Sequence, residues 1–225
     1  MTTQSQRKAI VDSVASCSSI LIGMLHLQGK DSTVAKILSA AEELFVSRSY
    51  ADVTMDQVAA HANVTKGAVY HHFSSKEQLY LAMLRLDFAD KQRIYQEAIS
   101  SGGTSRERLG RLMARFLGLS ETKQNLVGLV RRDINIFDED TRAALLHAYQ
   151  EALPNLVEEV IRDGIRDQEI VDGDPRLLAW HFVATVETTL VAYAQEQLTS
   201  DESKMNHVMH LFFGGCARDG LEEQL

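Results

Sequence analysis

Residues 53–77, VTMDQVAAHANVTKGAVYHHFSSKE, constrain the fold more than any other part of the chain. Thr54 and Gln57 are spaced as a capping box, so a helix is expected to begin at Met55, with Val58 and Ala59 on its inner face. Ala62-Asn63-Val64 reads as a tight turn. Asn63 is the residue there best able to adopt a left-handed backbone without glycine. Thr65 is placed to cap a second short helix, Lys66–His72, with Val69 and Phe73 four apart and pointing inward. Ser74 and Glu77 form another Ser-x-x-Glu pair, which predicts the start of a third helix.

The outward face of the second short helix is left with Lys66, Gly67, Tyr70, His71 and His72, followed by Lys76. That face offers hydrogen-bond donors and aromatic tips but no carboxylate. Such a face suits a duplex groove, where first-turn side chains reach base edges and hydroxyl, imidazole and ammonium groups reach phosphates. Gly67 and Ala68 keep the approach close, and the Ala68 methyl can touch a thymine methyl. With the capping hydroxyls included, the candidate DNA-contacting set is Thr54, Thr65, Lys66, Gly67, Ala68, Tyr70, His71, His72 and Lys76.

These residues also carry a resemblance. Ile37-Leu38, Ala40-Ala41, Leu44-Phe45, Tyr50, Val53-Thr54, Val58-Ala59, the run from Val64 to Phe73, Ser75-Lys76-Glu77 and Leu79 are together similar to the TetR family of bacterial one-component regulators. The similarity runs over about 46 residues, and its Tyr-x-His-Phe-x-x-Lys core is specific. Ser49 and Asn63 stand where the family usually has glycine. The resemblance implies an all-α protein with an N-terminal three-helix DNA-binding domain containing a helix-turn-helix. A larger helical domain for ligand binding and dimerisation should follow. It also implies a homodimer on a palindromic operator in double-stranded DNA, released by a small-molecule effector, acting in the cytoplasm as a repressor.

Charge bears on how DNA would be bound. The chain has 225 residues, a formal net charge of −8, and 45% hydrophobic residues. That excess of acid argues against a general polyanion binder. Residues 32–77 hold four basic and five acidic side chains, so recognition rests on where Lys66, His71, His72 and Lys76 sit rather than on bulk charge. Only two prolines interrupt the chain, which suits a helical protein. Cys17 and Cys216 fit no metal or redox spacing and read as free thiols in a reducing compartment. No run approaches the ~18 apolar residues that span a bilayer, so no membrane partner is expected.

Three regions follow from this reading: an N-terminal extension over 1–31, the DNA-binding domain over 32–77, and the ligand-binding and dimerisation domain over 78–225. In the extension, Ile10, Val14, Cys17, Leu21 and Met24 recur at helical spacing, and Met24 is an alternative start. Helices are predicted over 32–48, 75–100, 105–119, 121–137, 138–166 with a kink or restart at Pro154, 174–198, and from the Thr199-x-x-Glu202 pair onward. In 138–166 the apolar line is read as Ala143, Leu146, His147, Tyr149 and Leu153. Asp174-Pro175 is a strong start signal, and the segment it opens is apolar nearly all round, with Tyr193 on one of its stripes. With the last helix it forms the expected dimer surface, a four-helix bundle across a twofold axis.

Candidate effector walls are Met113, Phe116, Tyr149 and Trp180; candidate polar anchors are Arg132, Asp133, His147 and Glu187. Glu187 is the most informative, because a carboxylate on an apolar stripe must be paired, protonated or ligand-bound. Mixed aromatic and polar walls would admit an aromatic, phenolic or drug-like compound. His181, Glu187, His207 and His210 raise a metal-responsive alternative, although no metal or cofactor is assigned. A helical protein-interaction adaptor is the alternative from a different class. No nucleophile elbow, phosphate-binding loop or dinucleotide glycine fingerprint is present, so no catalytic residue is assigned and the chain is not read as an enzyme.

Overall fold

The structure, a computed structural model, describes residues 32–216. The helix expected within 1–31, the alternative start at Met24, Cys17 and the side chain of Cys216 lie outside the described residues. Two compact units are formed, one by 32–44 with 51–86 and the other by 45–50 with 87–216. The first unit therefore extends to Leu86.

In the first unit, α1 (Thr33–Ser47) begins where Ser32 Oγ accepts the Ala35 amide at 3.1 Å. It buries Val34, Ile37, Leu38, Ala41 and Leu44 at helical period. The next helix, α2 (Met55–His61), starts on a complete capping box: Thr54 Oγ1 accepts the Gln57 amide at 3.2 Å, and Gln57 Oε1 accepts the Thr54 amide at 2.8 Å. Asn63 takes φ 54° in the turn, the left-handed geometry its short polar side chain tolerates. Thr65 Oγ1 then accepts the Ala68 amide at 3.1 Å and opens α3 (Lys66–His72), which packs on α2 and buries Val69. The cap of α4 (Lys76–Ile99) lies one residue later than the Ser74–Glu77 pairing predicts. Ser75 Oγ accepts the Gln78 amide at 3.1 Å, while Gln78 Oε1 accepts the Ser74 amide at 2.6 Å. The sequence Ser-Ser-Lys-Glu-Gln contains two overlapping capping registers, and the chain uses the second. Leu79, Tyr80, Met83 and Leu84 of α4 are buried.

The second unit contains α5 (Ser105–Leu117), α6 (Glu121–Asp133) with a 3₁₀ turn at Ile134–Ile136, α7 (Glu139–Ala152), α8 (Pro154–Arg166), α9 (Pro175–Thr188), α10 (Ala192–Gln197) and α11 (Asp201–Cys216). Its core joins Tyr95 and Ile99 of α4 to Leu109, Leu112 and Phe116 of α5, Val157, Val160 and Ile161 of α8, Phe182 and Val183 of α9, and Val208 and Phe212 of α11. Gly164 lets α8 approach α5: a Cβ there would collide with Ser105 Oγ, which donates to the Val160 carbonyl at 3.3 Å.

Three expectations for this unit are corrected. The helix opened by Asp174-Pro175 does not run to Leu198. It stops at Thr188, because Thr185, Thr188 and Thr189 turn their hydroxyls onto the carbonyls of His181, Thr185 and Val186, and Val191 is extended. Tyr193 consequently ends up 72% exposed instead of on an inner stripe. The cap of α11 is Ser200, exchanging bonds of 3.1 Å with Ser203, again one residue past the predicted pair. On α7 the buried line is Leu145, Tyr149 and Ala152, spaced at four and three; Ala143, Leu146 and His147 face solvent.

Two charge clusters mark the unit. Asp87 and Lys91 are almost fully buried, with Lys91 Nζ at 2.6 Å from Asp87 Oδ2 and 2.7 Å from the Lys123 carbonyl, and Lys123 Nζ at 3.4 Å from Asp87 Oδ1. Burial, and then the Asp87 carboxylate, push the Tyr95 phenol upward. Nearer the surface, Arg108 and Arg166 donate to Asp163 at 2.7 and 2.8 Å. The Arg108 hydrogen bond first, then those from Arg166, hold the Asp163 carboxyl below its ordinary 3.8. A depressed folded value means the stabilisation is complete above 3.8 and disappears as pH falls through the lower folded value. Asp163→Asn is expected to cost about 1 kcal/mol near neutrality, after allowance for solvent screening. Urea unfolding at stepped pH checks this: the gap from wild type should close in acid and stay constant from pH ~5 to 8.

Candidate nucleic-acid interface

The first unit presents one exposed polar face built by α3. Val69 and Phe73 are buried at 0% and 1% exposure, which fixes the rotation of the helix. Lys66, Gly67, Tyr70, His71 and His72 are consequently exposed, Tyr70 at 45%, and Ala68 is half-buried. Thr54 and Thr65 are exposed at the two helix starts, and Lys76 Nζ lies 3.4 Å from the Ala51 carbonyl. A side chain at Gly67 would meet only Thr65 Oγ1, at 3.9 Å, so this flank of α3 is open to a close-approaching surface. The His71 and His72 rings lie edge to face, 5.0 Å apart. Of the nine candidate residues, Thr65, Lys66, Gly67, Ala68, Tyr70, His71 and His72 lie on α3 or at its cap, Thr54 caps α2 and Lys76 opens α4.

One expectation about this face is corrected. α3 itself holds no carboxylate, but α2 brings one to it. Asp56 contacts Lys66 Nζ at 2.8 Å through Oδ1 and 2.9 Å through Oδ2. The Asp56 hydrogen bond, the larger cause, raises the Lys66 pKa. Lys66 Nζ also lies 5.8 Å from the centre of the Tyr70 ring. The pair joins residues ten apart across the turn, and no local spacing rule reveals it.

In the second unit some candidate effector residues come together and others do not. Tyr149 donates to Glu187 Oε1 at 2.9 Å, and Arg131 bonds the other oxygen. Tyr149 and Trp180 have ring centres 6.1 Å apart, and Phe88 is 6.0 Å from Tyr149. Burial raises the Tyr149 phenol, opposed by Arg131. Glu187 is thus a paired carboxylate on its apolar stripe. Arg131, absent from the candidate set, supplies the cation from 56 residues away. Arg132 and Asp133 pair with each other at 2.8 Å, with Arg132 also donating to the Phe45 carbonyl at 2.8 Å. Their polar groups are committed to the fold. His147 is exposed, 3.7 Å from Glu151, on the outer side of α7. Met113 is fully buried in the core. Phe116 lines a small apolar cavity of about 10 Å³ with Leu112, Leu153, Phe182, Val183 and Val186. Among the described residues, no three His, Cys, Asp or Glu side chains are placed to hold a metal ion. None of the described helices is long and apolar enough to cross a membrane.

A capped helix-turn-helix with a polar reading face, followed by a helical unit, defines a DNA-binding regulator. Residues 37–83 match the family profile described as bacterial regulatory proteins, tetR family, and residues 102–196 match a tetracyclin repressor-like C-terminal domain. The chain belongs to the TetR family of transcriptional regulators. The HTH-type transcriptional activator FasR of Mycolicibacterium smegmatis is 27% identical over 189 residues, 84% of each chain. The fold is shared with the transcriptional regulator FadR from Bacillus subtilis, solved with stearoyl-CoA. That match has a TM-score of 0.67 and 21% identity, and covers 80% of this chain and 97% of FadR. It is shared too with AibR, solved with isovaleryl coenzyme A and operator DNA, at TM-score 0.68 and 21% identity over 80% and 97% of the two chains.

Proposed function

We propose that this regulator is a homodimeric repressor that holds a near-palindromic operator through α3 and releases it when a small molecule binds the second unit. The observation that carries the reading is the rotation of α3: Val69 and Phe73 are buried, and every donor on the helix is turned out. In the bound state Lys66, His71, His72 and Lys76 meet phosphates. Tyr70, with Gly67 and Ala68 beside it, meets the major-groove floor, and the Thr54 and Thr65 hydroxyls flank the contact. Two copies would read successive major grooves about one DNA turn apart.

The dimer face we assign is the outer side of α9 and α11, which pack on each other. Leu177, His181, Ala184 and Thr188 form one exposed line at four, three and four; His207, His210, Leu211 and Gly214 form another. Leu177 and Leu211 are 56% and 54% exposed, and small residues beside them permit close helix approach.

For the effector we propose a molecule with an apolar tail, of which an acyl thioester is the leading example. Support comes from the wholly apolar lining of the cavity around Phe116 and from the acyl-CoA molecules bound to FadR and AibR. At about 10 Å³ the cavity holds no ligand without repacking, so binding must select a more open arrangement of α5, α8 and α9. Glu187, which follows Val186 on α9 and is bonded to Tyr149 and Arg131, is the polar group we assign to meet a ligand head. An aromatic effector remains a second reading, favoured by the Tyr149–Trp180 pair.

The test is fluorescence anisotropy of the duplex upstream of the protein's own gene, titrated with acyl-CoAs of five to eighteen carbons. Release of DNA, with a rise in thermal midpoint equivalent to about 2.7 kcal/mol at a hundredfold excess over Kd, is expected. No release and no thermal shift with any chain length would remove the acyl reading. FasR is named an activator, so a promoter–reporter assay supplies the sign of regulation.

A further inference from the structure

We infer that Tyr95 is the residue that recognises an oxygen on the effector: its buried hydroxyl, unpaired in the free protein, donates to a neutral carbonyl oxygen of an apolar-tailed ligand. The inference rests on the effector reading above and names the ligand group that the site selects.

Buried polar side chains of the second unit are otherwise matched to partners. Ser105 Oγ donates to the Val160 carbonyl at 3.3 Å, Thr189 Oγ1 to the Val186 carbonyl at 2.7 Å, and Gln124 Nε2 to the Leu117 and Leu119 carbonyls at 3.0 and 2.9 Å. Asp133 is held by Arg132, and Asp87 and Lys91 hold each other. Among the described residues, the Tyr95 hydroxyl is the buried side-chain group left without a hydrogen-bond partner. The residue is 1% exposed, so bulk water does not reach it. An unpaired buried hydroxyl destabilises a fold, and a native chain that keeps one calls for an explanation.

Neighbours on its own helix do not supply the partner. Asp87, Lys91 and Tyr95 follow one another at four-residue spacing along α4, so they share a face. Lys91 Nζ is engaged by Asp87 at 2.6 Å and by the Lys123 carbonyl at 2.7 Å, and the phenol bonds to neither member of the pair. Asp87 acts on it through charge alone: after burial, that carboxylate is the second cause that raises the phenol. The hydroxyl consequently stays protonated and able to donate.

Tyr95 lies in the same apolar core as all six side chains of the cavity, Leu112, Phe116, Leu153, Phe182, Val183 and Val186. A ligand whose tail opens that core enters a place where the other buried hydrogen-bonding groups are already committed. Tyr95 is the one with a donor to give. An ionised ligand carboxylate would lose its hydration and face the negative charge of Asp87; a neutral carbonyl oxygen does neither. Tyr95 therefore reads the carbonyl of an acyl thioester, and the Glu187 cluster is left for the head.

The experiment removes the two partners of this bond one at a time. Probes are hexanoyl-CoA and dodecanoyl-CoA, each beside the S-alkyl analogue in which a methylene replaces the carbonyl. Calorimetry measures their binding to wild type and to Tyr95→Phe, with circular dichroism as the folding control. At a chain length that wild type binds, the thioether is expected to bind about tenfold more weakly than the thioester. Tyr95→Phe should lose about tenfold for the thioester and almost nothing for the thioether, so the variant no longer tells the two apart. Without ligand, Tyr95→Phe is expected to melt about 2 °C or more above wild type, the reverse of what losing a satisfied hydrogen bond would do.

Equal losses for thioester and thioether would make Tyr95 a packing contact and overturn the inference. A melting temperature of Tyr95→Phe at or below that of wild type would overturn it too, because the hydroxyl would then be satisfied in the free protein by an ordered water. Failure of wild type to bind any of the four probes would instead count against the acyl reading itself, which is a separate outcome.

Discussion

Replacing Lys66 and Tyr70 together by alanine is expected to weaken operator binding on the order of a hundredfold or more, with the fold intact. A phosphate contact and a groove contact are lost in each subunit. A base-edge contact is typically worth about 1–3 kcal/mol, and tenfold in affinity is about 1.4 kcal/mol. Loss of two such contacts on a twofold-symmetric site therefore exceeds two orders of magnitude even at the low end. Both side chains are exposed, and the buried anchors of α3, Val69 and Phe73, are untouched. The Asp56–Lys66 pair tempers the lysine's share, because breaking it offsets part of the phosphate contact. Gel shift at fixed salt on an operator duplex selected by wild-type protein from a randomised pool, with circular dichroism as the folding control, checks the result. Binding within threefold of wild type would mean that another surface reads the DNA.

Asp87→Asn should be the most damaging single polar change in the second unit. Asp87 and Lys91 have side-chain exposures of 1% and 4%, and Lys123 completes the cluster at 3.4 Å. Removing the carboxylate charge leaves two ammonium groups facing a neutral amide, one of them buried. Breaking a buried pair from one side typically costs about 3–5 kcal/mol, because the remaining ion stays desolvated and uncompensated. For a protein of this size that corresponds to a fall in melting temperature of about 6–20 °C. Replacing Asp87 with leucine and Lys91 with methionine should recover most of the loss, since a well-packed apolar pair carries no desolvation penalty. A melting curve for Asp87→Asn within 1 °C of wild type would show that the cluster is hydrated in solution.

The reading head was largely legible from sequence because its determinants are local. Thr54 with Gln57, Asn63 in its left-handed turn and Thr65 each act within four residues, and each appears as the spacing predicts. Where two adjacent hydroxyl residues offer overlapping registers, at Ser74-Ser75 and Thr199-Ser200, spacing alone picks the wrong one by a single residue. The break after Thr188 was hidden for a related reason. No proline or glycine marks it, and it depends on three threonine hydroxyls competing with backbone amides. Long-range pairing was out of reach altogether. Glu187 was identifiable as a carboxylate requiring a partner, but its partner Arg131 lies on another helix. Lys66 is legible as a candidate DNA contact, while Asp56 enters only once the turn is folded. His147 faces outward because α7 carries two apolar lines, and the core took Leu145 and Tyr149.

In the proposed complex α3 of each subunit of a dimer enters the major groove. Hydroxyl-radical and guanine-methylation protection on the selected operator measure it directly. Two protected patches about 10 base pairs apart on one side of the duplex, with major-groove guanines shielded in both and uncovered together by Lys66→Ala/Tyr70→Ala, is the result expected. A single patch, patches on opposite sides of the duplex, or protection that survives the double substitution would contradict it.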